Sequence, residues 1–251
     1  MRVTKIVFSP TGGTQKVADI VAAKLGSDIQ SIDLACAKDN YSENRFNADD
    51  VVVIAMPSFG GRAPETAVKR FLQIKGNGAT AIVIAVYGNR AQEDTLVEME
   101  DAAKQSGFKV VAGIATIAEH SILRQYASGR PNDEDKSQLE NFAARILEKI
   151  DSNADNDPKI IGNRPYKKAG GAGMVPKATK TCTKCGVCAK ACPVGAIDEK
   201  FAADGKKCIS CMRCISVCPS KARKLNGAMV SAAGLALKKA CSVHKDNELF
   251  I

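Results

Sequence analysis

Eight of the chain's ten cysteines lie between Cys182 and Cys218, in two runs of identical spacing. Cys182-x2-Cys185-x2-Cys188-x3-Cys192-Pro193 recurs, with a period of 26 residues, as Cys208-x2-Cys211-x2-Cys214-x3-Cys218-Pro219. Thiols this dense must be oxidised in pairs or must bind something. Disulfide frameworks belong to oxidising compartments. Here Met1 to Phe8 is too short an apolar run for a signal peptide, and Ser9-Pro10 ends it, so the expected location is the cytoplasm. No run of 18 apolar residues occurs, which excludes a membrane-spanning helix. Clustered thiols in a reducing setting point to metal.

Structural zinc is the plain alternative. It usually takes two cysteine pairs set apart by a longer spacer, not four cysteines in one short run. Two copies of the observed spacing form the bacterial two-cluster [4Fe–4S] pattern. Three thiolates on one tight loop reach three irons of a cubane, and the fourth must come from elsewhere because the chain then turns into a helix. In such pairs the fourth cysteine of each run serves the other cluster. Cluster I is therefore expected on Cys182, Cys185, Cys188 and Cys218, and cluster II on Cys208, Cys211, Cys214 and Cys192. Pro193 and Pro219 redirect the chain just beyond the crossing cysteines. The clusters could simply brace a small domain, but two adjacent ones are more naturally a wire. With Pro193-Val194-Gly195-Ala196-Ile197 included, residues 178–225 resemble bacterial two-cluster ferredoxins, which are small α+β domains.

Charge divides the chain at the same place. Residues 1–150 hold 18 Lys/Arg and 19 Asp/Glu, a balance of −1, whereas residues 151–251 hold 18 and 8, a balance of +10. The first part alternates strand and helix patterns. Arg2–Phe8, Asp28–Leu34, Val51–Met56, Ala79–Val86 and Val110–Ile117 read as strands, and the last three are almost wholly apolar, as in a parallel sheet covered on both faces. Helices are predicted over Thr14–Leu25, Glu65–Ile74, Gln92–Ser106 and Asp133–Ile150. The last has three acids in its first turn, where they suit the positive helix end. The result is an α/β doubly wound domain with five strands.

Ser9-Pro10-Thr11-Gly12-Gly13-Thr14 lies between the first strand and the first helix. Hydroxyls and backbone N–H groups at a helix start make an anion site, and glycines let the backbone come close. It is neither a Walker A loop nor GxGxxG. The loop resembles the phosphate loop of flavodoxins, Ser/Thr-x-Thr-Gly-x-Thr, through Ser9, Thr11, Gly12 and Thr14. That resemblance implies FMN, strand order 2-1-3-4-5, and a cofactor at the switch point between the first and third strands. Pro57, Ser58, Phe59, Gly60 and Gly61 after the third strand, and Tyr87, Gly88, Asn89 and Arg90 after the fourth, are then expected beside the flavin. The chain has no Trp. Tyr87 is the best remaining ring partner and Phe59 the second. His120, after the fifth strand, is either a proton donor or substrate contact, with Tyr87 beside it, or a loop histidine satisfied by hydrogen bonds. Arg124 and Arg130 follow and could hold an anion or an acidic partner, with a solvated role as the default for both.

Residues 151–177 read as a linker, with a polar stop at Asp151–Pro158 and a Gly-, Pro- and Lys-rich stretch from Asn163 to Val175. Residues 226–251 form an extension without an assigned role, able to form a helix and a docked tail. Cys36 and Cys241 have no ligand-spaced partner and read as ordinary small thiols.

Taken whole, the chain resembles the flavodoxin–ferredoxin fusion proteins of anaerobes. The resemblance implies electron transfer between two [4Fe–4S] clusters and FMN, with redox proteins as partners. The residual positive face of Lys177, Lys180, Lys184, Lys190, Lys206, Lys207, Lys221, Arg223 and Lys224 suits acidic ones. A flavin-dependent reductase of a small organic acceptor is the second reading, and a redox sensor or binding module the third. Neither a reading helix nor interleaved aromatics favour nucleic acid.

Overall fold

The computed structural model describes residues 2–37, 40–152, 154, 156–171 and 173–251. Asn153 and Asp155 of the polar stop, and Ala172 of the Gly-rich stretch, lie outside the described residues.

The first half alternates β1 (Val3–Val7), α1 (Gly13–Leu25), β2 (Ile29–Asp33), β3 (Val51–Pro57), α2 (Glu65–Phe71), β4 (Thr80–Tyr87), α3 (Thr95–Gln105), β5 (Lys109–Ile117) and α4 (Asp133–Asp151). The five strands are parallel in the order 2-1-3-4-5. Successive strand side chains point to opposite faces, and the apolar runs use both. Val52, Ile54 and Met56 join Phe71, Leu96 and Met99 on the face covered by α2 and α3. Val51, Val53 and Ala55 meet Val17 and Val21 of α1 and Leu139, Ala143 and Ile146 of α4. That two-faced burial is why Val51–Met56 of β3 is apolar at every position. The edge strand β2, Ile-Gln-Ser-Ile-Asp, is half exposed and mixed in sequence.

Helix α4 starts where its chemistry says it should. The Asn132 side chain accepts from the Asp135 N–H, and the Asp135 carboxylate accepts from the Asn132 N–H. Such a reciprocal cap contributes about 1 kcal/mol.

The second half holds β6 (Lys177–Ala178), α5 (Val187–Lys190), α6 (Arg213–Ser216), β7 (Arg223–Lys224), α7 (Gly227–Cys241) and β8 (Glu248–Phe250). β6 and β7 pair antiparallel. The cysteine repeat is also a backbone repeat. Left-handed residues fall at Lys184 and Ser210, at Gly186 and Met212, and at Gly195 and Lys221, each pair one period apart. α5 and α6 start at the same point of the two copies.

Two findings add to the picture read from sequence. The linker does not hang free. Ile160 packs against the α2/α3 face, and the Asp94 carboxylate, 1% exposed, accepts from the N–H groups of Asn163 (2.8 Å) and Lys167 (2.7 Å). Arg164 grips Asp101 and Glu100. Its polar, glycine-rich composition suggested a spacer, yet its backbone groups are used for docking.

The C-terminal extension, in turn, comes back to the first sheet. β8 adds a sixth, antiparallel strand beside β5, with Ile114 opposite Leu249. Among the described residues, no helix is long and apolar enough to cross a membrane.

Candidate functional site

The strands of a doubly wound sheet end together, and the loops that leave them line an open cavity of about 80 Å³ at their carboxyl edge. Pro10, Thr11, Gly13 and Thr14 line it from the loop after β1, Pro57, Ser58 and Phe59 from the loop after β3, and Tyr87 and Gly88 from the end of β4. Ala118 to Ser121, after β5, close the rim. Gly12 turns in the left-handed region at φ 95°, which lets α1 begin directly at the cavity wall. Ser9 Oγ accepts from the Gln15 N–H at 2.9 Å and so braces the first turn rather than lining the cavity. The loop after β3 is held from behind. Arg62 makes a two-pronged pair with Glu98 at 2.7 Å, and the Ala63 N–H donates to the same carboxylate.

Several expected residues serve the scaffold instead. Asn89 is buried, and its side-chain amide donates to the carbonyls of Cys241 (2.7 Å) and Val243 (2.9 Å). Arg90 pairs with Glu93. The loop holding both is thus spent on fastening the C-terminal extension. Gly60 lies against the carbonyl of Gly170, and Gly61 against Glu93. Tyr87 lines the cavity but is only 6% exposed, and burial, reinforced by Glu248, pushes its phenol up to about 12. Phe59 is the more open of the two rings. Arg124 is exposed and pairs with Glu119. Arg130 corrects the solvated reading: it is nearly buried and clamps Asp135 and the Lys245 carbonyl.

His120 lines the cavity, and its Nδ1 accepts from the N–H groups of Ile122 and Leu123, both at 3.1 Å. A nitrogen that accepts carries no hydrogen, so the neutral ring bears its hydrogen on Nε2. Burial keeps the ring neutral by lowering its pKa below the ordinary histidine value. The two sequence alternatives for His120 thus meet in one residue: it is a satisfied loop histidine, and it stands at the cavity.

The cysteines ring two further cavities. One is lined by Cys182, Cys185, Cys188 and Cys218. The other is lined by Cys192, Cys208, Cys211 and Cys214. Among the described residues, no three Cys, His, Asp or Glu converge as ligands of a single ion. A ring of four cysteines around each cavity suits a cubane with four thiolate ligands. The crossing cysteines are treated alike. Cys192 Sγ accepts from the Ala196 N–H at 3.3 Å, and Cys218 Sγ accepts from the Ala222 N–H at 3.2 Å.

The two cavities differ in exposure. Cys185 is exposed, and the Val187 N–H lowers its thiol pKa. Burial instead pushes Cys211 up to about 12 and Cys214 to about 11.

Cys211 lines both the buried cysteine cavity and the cavity at the sheet edge. Two arginines hold this junction. Arg70, on α2, donates to the Leu34 carbonyl and to the Pro193 carbonyl at 2.5 Å. Arg213 reaches the Ser9 carbonyl at 3.5 Å and Asp33 at 3.8 Å. Sequence reasoning passed over both, because a lone arginine in a basic or amphipathic stretch carries no spacing signal.

Residues 174–219 match the family model described as the 4Fe-4S dicluster domain. No curated protein matches the chain. Among solved structures, the chain is similar to a flavodoxin from Streptococcus pneumonia TIGR4. The identity is 20%, the match covers 59% of this chain and 99% of that one, and the TM-score is 0.43. It is also similar to oxidised flavodoxin 1 from Bacillus cereus, at 17% identity, 59% and 98% coverage, and a TM-score of 0.44.

Proposed function

We propose that the chain carries electrons between two [4Fe–4S] clusters and FMN, and that its partners are other redox proteins. One observation carries the reading: Cys211 belongs at once to the ring of four cysteines and to the wall of the sheet-edge cavity. A cluster held by Cys192, Cys208, Cys211 and Cys214 would border a flavin held at the switch point. Clusters pass single electrons, and a flavin accepts one or two, so the pair links one-electron carriers to two-electron chemistry.

The chain's own residues divide the work. Residues 1–150 form the flavin domain in this reading, and residues 178–225 the cluster domain. Thr11, Thr14 and the N–H groups at the start of α1 receive the phosphate. Phe59 and Tyr87 flank the ring system. His120 donates from Nε2 and, held neutral, adds no charge. Cys182, Cys185, Cys188 and Cys218 hold the outer cluster. Cys185 and Val187 are exposed there, beside the exposed Lys180, Lys184 and Lys221. An acidic one-electron partner fits that face.

The test is anaerobic cofactor analysis of the purified chain. The expected content is about eight iron, eight sulfide and one FMN per chain. Eight iron with no FMN, even after reconstitution, would remove the flavin half of the reading. Absence of iron would remove the cluster half.

A further inference from the structure

Arg223 stands just beyond the second cysteine run and is 2% exposed. Burying a guanidinium is costly unless it is paired, yet among the described residues no carboxylate pairs with it. Nη1 donates to the Phe201 carbonyl at 2.9 Å, and Nη2 to the Pro176 carbonyl at 2.7 Å. Nη1 also stands 4.0 Å from Cys188 Sγ. Nε is buried with no partner. The side chain lines the cavity of Cys182, Cys185, Cys188 and Cys218. A full positive charge thus lies buried at a ring of four thiols, held by two carbonyls and facing one sulfur.

We infer that Arg223 is the internal counter-ion of the cluster held by Cys182, Cys185, Cys188 and Cys218, and that it raises that cluster's reduction potential. The inference rests on the cluster reading above. Four thiolates and a cubane make a net negative assembly. Reduction adds one electron from an external donor, with no bond made or broken and no proton required, so the assembly becomes more negative. A fixed cation a few ångströms away stabilises the reduced form more than the oxidised one. Net charge and hydrogen bonding to sulfur are among the protein's levers on such potentials. Placed at the solvent-facing cluster, the charge makes that cluster the better acceptor for an electron arriving from a partner.

The experiment compares the full-length protein with Arg223→Lys and Arg223→Gln. Iron is counted first. Both cluster midpoints are then followed by an EPR-monitored titration with dithionite. Arg223→Gln should move one midpoint to a more negative potential and the other by less, while Arg223→Lys, which keeps the charge, should stay near the parent. If Arg223→Gln fails to load iron and Arg223→Lys loads it, charge pairing is again supported, because only the charge separates the two. Arg223→Gln fully loaded with both midpoints unmoved would overturn the inference. So would equal shifts, or equal loss of iron, in both variants, which would assign the residue's role to its carbonyl bonds. Parent protein without iron would overturn the cluster reading itself, and the iron count shows this before any variant is compared.

Discussion

Asn247 shows how much one side chain can hold. It is 7% exposed, and its Oδ1 accepts from the Thr116 hydroxyl at 2.6 Å and from the Ile117 N–H at 3.2 Å. Its amide nitrogen donates to Asp135 at 3.0 Å and Gln138 at 2.8 Å. Truncation strands several buried partners at once, and leaving such groups unsatisfied costs more than the bond is worth. Asn247→Ala is therefore expected to destabilise the protein by about 1–3 kcal/mol, read as a lower midpoint in anaerobic urea unfolding. His120 supplies a pH prediction. Its folded pKa lies below the unfolded value of about 6.5. Above that value neither state is protonated and the residue contributes no slope. As pH falls below it, the unfolded chain takes the proton first, so stability declines down to the folded midpoint. In a proton NMR titration, the imidazole signal lost in His120→Asn should have its midpoint below about 6.5. A midpoint at or above that value would contradict the buried, neutral ring.

At the scale of elements, the first half was legible because its forces are local and periodic. Val51–Met56 is apolar at every position and Val110–Ile117 nearly so, broken by Thr116, as strands buried on both faces require. α4 announced itself through its acidic first turn and its stripe from Leu139 to Ile146. β8 could be read only as a docked tail and not as a strand, since three residues at a chain end have no period, and their partner β5 lies more than a hundred residues away. The docked linker was hidden for a related reason: the anchors on Asp94 include two backbone N–H groups, which have no letter in the sequence. The cysteine repeat was legible as spacing, but its backbone demands were legible only in part. Gly186 and Gly195 mark left-handed positions in the first copy, whereas Met212 and Lys221 occupy the same positions in the second. Gly195 has φ 59° and open space where a Cβ would go. Gly195→Ala should thus cost about 1 kcal/mol through backbone strain alone, measured as a shift in the unfolding midpoint with iron content unchanged. A cost near zero would show that this turn relaxes.

On the scale of the whole molecule, the cysteine region is tethered at both ends to the sheet domain. On its N-terminal side, Asn163, Arg164 and Lys167 bind Asp94, Asp101 and Glu93. On its C-terminal side, β8 joins the sheet, and Lys245 donates to the carbonyls of Asn89, Arg90 and Ala240. Between these ends, Arg70 and Arg213 hold the cysteine loop against the strand ends. A region fastened at four places has little freedom to swing, so in the proposed reading electrons that cross at Cys211 should not wait for encounter between molecules. After a pulse of external reductant, equilibration between clusters and flavin is expected to be first order, with a rate constant independent of protein concentration. Salt should slow the entry of electrons from an acidic partner, because exposed lysines are screened within about 10 Å at 0.1 M. Salt should leave the internal step almost unchanged, because Cys211 is only 9% exposed. Stopped-flow absorbance at two salt concentrations and two protein concentrations separates these cases. An internal rate that rises in proportion to protein concentration would mean that electrons pass between chains, and the double tether would then serve stability alone.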